Sequence, residues 1–261
     1  MDIETPSVAR AYDYFLGGSY NFASDRVLAE QYMRVLPEMP QIARAQRDVL
    51  HRAVRYMAEQ GIDQFLDLGS GIPTVGNVHE IAQSVNPGSR VVYVDVDPVA
   101  FAHASALLEN DAQTGVIHAD LRNTEHVLAD RVVGELLDLS RPVGVLMIAV
   151  LHFLADDDDP AGVIAAYRGA VASGSHLAIT HATSDYRPEM AREAENVYQR
   201  ASHQMHYRTK AELAELLSGY ELVPPGLVDM IHWRPDPEAG PDPFNGDVTR
   251  YSGYAAVGRK P

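Results

Sequence analysis

Three consecutive apolar runs, each ending in glycine or aspartate, constrain this chain more than any other feature. Phe65-Leu66-Asp67-Leu68 runs into Gly69-Ser70-Gly71, and a helix-compatible segment follows over Val75 to Val85. Glycine lets the backbone turn sharply out of a strand and admits a ligand without meeting a Cβ. A strand end followed by a helix N-terminus forms the crevice in which open α/β sheets bind nucleotides. About 25 residues on, Val91-Val92-Tyr93-Val94 ends in Asp95, near the spacing at which such sites place a ribose-binding acid. A carboxylate there accepts hydrogen bonds from ribose hydroxyls, worth about 1.5–3 kcal/mol each when charge-assisted. Gly115 to Ala119 ends in Asp120-Leu121, and a fourth run, Val143 to Val150, is apolar throughout, as in a strand buried on both faces.

Composition narrows the function. The chain of 261 residues is 46% hydrophobic, enough for a sizeable core, and its length suits one α/β domain. It has no cysteine, which excludes disulfides, thiolate catalysis and cysteine-ligated zinc. Its first residues are not a secretion signal, and its longest apolar stretch, around Val143 to Leu154, is too short to span a bilayer. A soluble, cytoplasmic protein with no membrane partner is expected. A formal charge of −15, from 21 basic and 36 acidic residues, argues against nucleic acid, whose phosphates need clustered Lys and Arg.

Periodicity predicts amphipathic helices over residues 7–16, Ser24 to Met33 and Gln41 to Gln60, punctuated by Gly17-Gly18, Pro37 and Pro40. With no linker before Phe65, residues 1–61 read as a helical cap on a core spanning 62–261. Asp97 precedes Pro98 as an N-cap, and Asp120 is placed to cap a helix over Asn123 to Val133. The acidic run Asp156 to Asp159 lacks the patterned spacing of a calcium loop and suits the start of a helix at Pro160, so no metal is expected. Gly174 to Thr180 reads as a fifth strand, and Tyr186 to His206 as a helical insertion. Thr209 to Glu212 is a capping box, with Glu221 to Val223 and Val228 to Trp233 as strand material after it. Arg234 to Thr249 is a Pro- and Gly-rich loop, and Tyr251 to Val257 closes the chain as a strand.

From Phe65 to about Thr180 this ordered set resembles the Rossmann-like S-adenosylmethionine (SAM)-dependent methyltransferases. A narrower resemblance, to the bacterial family named S-adenosyl methyltransferase, rests on Pro6 to Phe22, on Ala149-Val150-Leu151-His152-Phe153-Leu154 and on the final Tyr251 to Arg259 strand. The resemblance implies an α/β fold with a mostly parallel seven-stranded sheet, an antiparallel last strand and helices on both faces. It puts Asp67 beneath the methionine end of SAM, with Gly69, Ser70 and Gly71 lining it. Asp95 would hold the ribose, Asp120 and Leu121 would meet the adenine, and Val96 and Ala149 would also be cofactor-binding. The N-terminal helix would act as a lid, with Arg10 or Tyr14 reaching the cofactor's carboxylate or the substrate.

SAM supplies the reactive carbon, so the chain need not carry a fixed catalytic triad. Methyl transfer needs a base only when the acceptor arrives protonated. His152, after the fourth strand, is the candidate base, and His181, after the fifth, is second. Tyr12, Tyr14, Tyr20 and Phe22 could face a cationic methyl donor or an amine, and they suit a core equally well. The acceptor is expected to be a small molecule, and oligomeric state is not legible. A nicotinamide oxidoreductase also uses a glycine turn and a ribose acid, but here Thr74 stands where its third small residue belongs. A SAM-binding sensor or partner protein without catalysis is the other alternative.

Overall fold

The structure, a computed structural model, describes residues 2–73 and 76–261. The apolar runs form the middle of one sheet. Strands β1 (Gln64–Leu68), β2 (Arg90–Asp95), β3 (Thr114–His118), β4 (Gly144–Met147) and β5 (His176–Ala182) run parallel in the order β3-β2-β1-β4-β5. Two short strands, β6 (Glu221–Leu222) and β7 (Val228–Asp229), pair antiparallel with β8 (Gly253–Arg259), which is itself antiparallel to β5. The count is eight rather than seven because Pro224-Pro225-Gly226 divides the sixth strand, proline having no N–H to give to a ladder. The strand material expected up to Trp233 ends at Asp229, where a 3₁₀ turn begins.

Alternation along each strand sorts side chains between two cores. Phe65, Val91, Tyr93, Leu146 and Ala178 face one of them, and Leu66, Val92, Val94, Val145 and Leu177 the other. The first core is covered by α1 (Val8–Phe15), α2 (Ala23–Val35), α3 (Met39–Glu59) and α4 (Val78–Val85). After β2 comes α5 (Pro98–Leu107), and the second core is covered by α6 (Thr124–Ala129), α7 (Arg131–Leu136) and α8 (Pro160–Ala170). Then α9 (Pro188–Tyr198) returns to the first core, α10 (Lys210–Leu216) packs on the second, and α11 (Val248–Tyr251) precedes β8.

Two caps differ from expectation. Asn123, not Asp120, caps α6, its side chain accepting from His126 N at 3.2 Å. The expected helix over Asn123 to Val133 is two helices, because Asp130 takes an extended conformation and caps α7. Of the 186–206 insertion only Pro188–Tyr198 is helical. As expected, Asp97 caps α5 and Thr209 opens α10, with Glu212 Oε2 accepting from Thr209 N at 2.7 Å.

Chain order reverses between β1 and β4, whose partners lie on opposite sides. At such a point the loops leaving neighbouring strands diverge and leave a crevice at their carboxyl ends.

Candidate functional site

The turn after β1 is built on two glycines with positive φ, +72° at Gly69 and +66° at Gly71. The N–H groups of Gly69 and Ser70 both donate to Val94 O, at 2.8 and 3.1 Å, which pins the turn to β2. A Cβ on Gly69 would stand 2.3 Å from a methyl of Val150, so this glycine lets the turn pack on the β4 loop. A Cβ on Gly71 would meet nothing within 4 Å, so this one leaves open space.

That space is part of a cavity of about 330 Å³ at the carboxyl edge of the sheet. The β1 turn lends it Asp67, Gly69, Ser70 and Gly71, and β2 lends Val94, Asp95 and Val96. Ala119, Asp120 and Leu121 follow β3 along one side, and Ile148, Ala149 and Val150 follow β4 along the other. The segment leading into α1, α1 itself with Arg10 and Tyr12, and Arg47 and Leu50 of α3 also line it. Ala149 holds a left-handed φ of 54°, with its N–H bonded to Thr180 Oγ1 at 2.9 Å. Strained residues of this kind persist where a site holds them.

Three buried carboxylates meet at the centre. Asp95 Oδ2 accepts from Gly71 N at 2.7 Å, and Oδ1 from Asp97 N at 2.8 Å. Burial pushes its carboxyl up to about 6, against the pull of those two backbone donors. Asp67 rises to about 7, because burial and the charge of Asp95 outweigh the pull of the Arg47 guanidinium. Asp97 is an N-cap and pairs with Arg10 at 3.5 Å.

Ten residues expected on the cofactor line this one cavity: Arg10, Asp67, Gly69, Ser70, Gly71, Asp95, Val96, Asp120, Leu121 and Ala149. Two of them are engaged differently from expectation. Arg10 Nε donates to Asp25 at 2.8 Å, Nη2 to Thr5 O at 2.9 Å, and Nη1 to Asp2 O and Asp97, so its fork serves buried carboxylates and the N-terminal backbone. The Asp120 carboxylate is gripped by Arg122 through Nε and Nη2, at 3.0 and 2.6 Å, and Arg122 also holds Asp158.

Four expected residues lie elsewhere. The Tyr14 hydroxyl donates to Glu30 at 3.4 Å, and the exposed Tyr20 lies tilted against His103 with ring centroids 3.9 Å apart. His181 is fully buried, its Nδ1 donating to Ala182 O at 2.7 Å and its Nε2 accepting from Arg208 at 3.2 Å. Both nitrogens are used, so this histidine is structural. His152 lines a separate small chamber and not the large cavity. Thr74 lies outside the described residues.

The cavity also gathers residues to which sequence reasoning gave no site role: Arg47, Arg122, Ser202, and Phe153, which was noted only within the family motif. Arg47 stands at the edge of the α3 apolar stripe, beside Ala43 and Leu50, and a basic residue there was the available signal. Ser202 carried none. It arrives by a long-range contact, donating from its N to Pro6 O at 2.8 Å and accepting from Val8 N. Among the described residues no group of three or more His, Cys, Asp or Glu is placed to hold a metal ion. None of their helices is long and apolar enough to cross a membrane.

A Rossmann-like sheet with a glycine turn, a buried acid ending β2 and a further acid after β3 fits the class of SAM-dependent methyltransferases, which the family match establishes. Within it the chain belongs to the S-adenosyl methyltransferase family, whose model matches residues 1–261. It is 41% identical to a protein of Thermobifida fusca YX solved as a candidate methyltransferase, covering 99% of this chain and 96% of that one at a TM-score of 0.92. It is 38% identical to a DUF574-family protein of Streptomyces avermitilis MA-4680, covering 100% and 99% of the two chains at a TM-score of 0.94. Human N-acetylserotonin methyltransferase, solved in complex with SAM, shares the fold at 15% identity and a TM-score of 0.52, with 96% of this chain and 70% of that one covered. No curated protein matches. The protein is a SAM-dependent methyltransferase, and SAM is its cofactor.

Proposed function

We propose that the protein methylates a small-molecule acceptor as a single domain, with residues 1–61 capping the cofactor cavity. The observation that carries this reading is the convergence of Asp67, Asp95, Asp120 and the Gly69–Gly71 turn on one cavity whose size suits a small ligand.

The wall fits SAM in its chemistry. The methionine tail carries an ammonium and a carboxylate, and Asp67 and Arg47 offer one charge of each sign. Asp95 retains acceptor capacity after binding Gly71 and Asp97, since an ionised carboxylate has about four lone-pair sites. Its role is to take the ribose hydroxyls. Ala119 and Leu121 supply apolar surface for the adenine, and Asp120, whose carboxylate is held by Arg122, marks the edge of that pocket.

When bound, SAM supplies an electrophilic methyl group for in-line displacement by the acceptor. The chain contributes orientation: Asp67 and Arg47 would hold the methionine tail and Asp95 the ribose, and the wall at Ala149, Tyr12 and Phe153 would face the acceptor. Holding the reactants in line accounts for much of the barrier reduction in such reactions. The net negative charge disfavours nucleic acid as the acceptor.

Calorimetry with SAM, S-adenosylhomocysteine and NAD on the wild type and on Asp95→Ala tests the reading. Both sulfur nucleosides should bind the wild type, and Asp95→Ala should weaken them by about a hundredfold or more, the loss of two charge-assisted bonds. Binding of NAD in preference to the sulfur nucleosides would overturn it. Turnover on a panel of small acceptors separates an enzyme from a non-catalytic SAM sensor, which would bind and transfer nothing.

A further inference from the structure

Where the cavity meets the loop after β3, two carboxylates and a guanidinium form one bonded group. Arg122 donates to Asp120 with its backbone N–H at 2.9 Å, with Nε at 3.0 Å and with Nη2 at 2.6 Å. Its Nη1 crosses to Asp158 Oδ1 at 2.8 Å, on the 3₁₀ turn Asp156–Asp158 that follows β4. The other oxygen of Asp158 accepts from Ala155 N at 2.9 Å, so that anchor is itself fixed. Arg122 therefore ties the loop after β3 to the loop after β4.

The group stands between the cavity and water. Asp120 and Arg122 line the cavity, yet their side chains are 33% and 36% exposed. Each therefore has cavity on one side and solvent on another. A surface ion pair is commonly loose, but a guanidinium gripping one carboxylate through two nitrogens and a second carboxylate through a third is held in one place. The titrations move accordingly. Partial burial pushes the Asp120 carboxyl up, and the bonds from Arg122 outweigh it and hold the group below its ordinary range. The bond to Asp120, reinforced by Asp158, holds the Arg122 guanidinium above its own.

We propose that Arg122 is a specificity-determining residue for the base of the cofactor: it bars the cavity beside Asp120, so that the pocket takes an adenine with a free 6-amino group and refuses one carrying a substituent there. The proposal rests on the reading above that seats the adenine against Ala119, Asp120 and Leu121. An ionised carboxylate only accepts, so the 6-amino edge is the part of the base that suits Asp120. The three N–H groups of Arg122 leave one of roughly four acceptor sites on that carboxylate open, enough for a single N–H of the amine. A bulky group on the same nitrogen would have to displace Arg122, breaking its bonds to Asp120 and Asp158 together. With Arg122 truncated, the space beyond is solvent, into which such a group can extend.

Calorimetry on the full-length protein compares S-adenosylhomocysteine with its N6-benzyl derivative, in the wild type and in Arg122→Ala. The wild type should bind the derivative at least about tenfold more weakly than S-adenosylhomocysteine, the cost of overfilling a packed wall. Arg122→Ala should bind the derivative at least about tenfold more tightly than the wild type does, whereas S-adenosylhomocysteine should gain nothing. A merely structural role for Arg122 would weaken both ligands together and could not produce a gain. Equal binding of the two ligands by the wild type, or no gain for the derivative in Arg122→Ala, overturns this proposal alone. Failure of S-adenosylhomocysteine to bind the wild type, or undiminished binding by Asp95→Ala, overturns the cofactor reading and this one with it.

Discussion

His152 and His181 stand edge to face, with ring centroids 5.6 Å apart and planes at 90°, yet only His181 is hydrogen-bonded through both nitrogens. Arg208 organises the difference. It donates to His181 Nε2 and to the carbonyls of Leu151 and Leu154, so it supports the turn carrying His152 without a hydrogen bond to that ring. His181 therefore belongs to the scaffold, and His152 is left with an unpaired nitrogen beside a cavity.

Near-isosteric substitution should separate the two. His181→Leu strips a buried acceptor from Arg208 and a donor from Ala182 O, and should lower stability by about 1–3 kcal/mol in urea denaturation at pH 7.5. His152→Leu removes an already unpaired nitrogen and should stay within about 1 kcal/mol of wild type. Equal losses in the two variants would contradict the assignment of roles.

Acid should act through the same pair. Burial lowers His181 to about 3 from an ordinary 6.5, and His152 moves in the same direction. The unfolded chain then binds more protons than the folded one between those two values. The stability these histidines contribute is present above pH 6.5 and is lost as pH falls from there toward 3. His181→Leu should flatten this slope in a series of urea titrations across that range.

Cofactor affinity should move with pH in a definite direction. Asp67 rises to about 7 in the free protein, and it must be ionised to receive an ammonium. Binding should release protons, and the dissociation constant for S-adenosylhomocysteine should worsen by about tenfold between pH 8 and pH 6. The raised pKa also makes the free protein gain stability from Asp67 as pH falls below 7, so stabilisation by the ligand should be larger at pH 8 than at pH 6. Calorimetry in buffers of different ionisation enthalpy measures the proton release, and Asp67→Asn should reduce it to the smaller part that Asp95, raised to about 6, contributes.

The two glycines of the β1 turn should respond differently to alanine. Gly69→Ala forces a Cβ against Val150 and should destabilise the fold by about 1–3 kcal/mol. Gly71→Ala pays only for its positive φ, about 1 kcal/mol, and places its methyl in the cavity. Its main effect should be on S-adenosylhomocysteine binding. Thermal melts with and without ligand distinguish the cases, and a larger stability loss in Gly71→Ala would refute this account.

Arg10 should prove structural. Removing one member of a buried ion pair typically costs about 3–5 kcal/mol, and Arg10→Ala would leave Asp25 and Asp97 without it while releasing the carbonyls of Asp2 and Thr5. A loss under about 1 kcal/mol in urea denaturation would show that the pairing is dispensable.

Local sequence determined the strands, the glycine turn and the acids that end β2 and follow β3, while the parallel sheet was implied by the family resemblance. Those signals depend on near neighbours: an apolar run long enough to bury, a residue that tolerates positive φ, a carboxylate where a strand stops. The closing strand over Tyr251 to Val257 was legible for the same reason, but its antiparallel direction was implied only by the family resemblance. Tertiary structure decided which polar side chains face the cofactor and which serve the protein. Arg10 and His181 have the chemistry of site residues, but partners 15 and 27 positions away, Asp25 and Arg208, claim them. Arg47, Ser202 and the partners of Asp120 enter or shape the wall only through packing between distant segments. A side chain's hydrogen-bonding capacity is written in its identity, whereas the group that uses it is chosen by whatever the fold brings within about 3 Å.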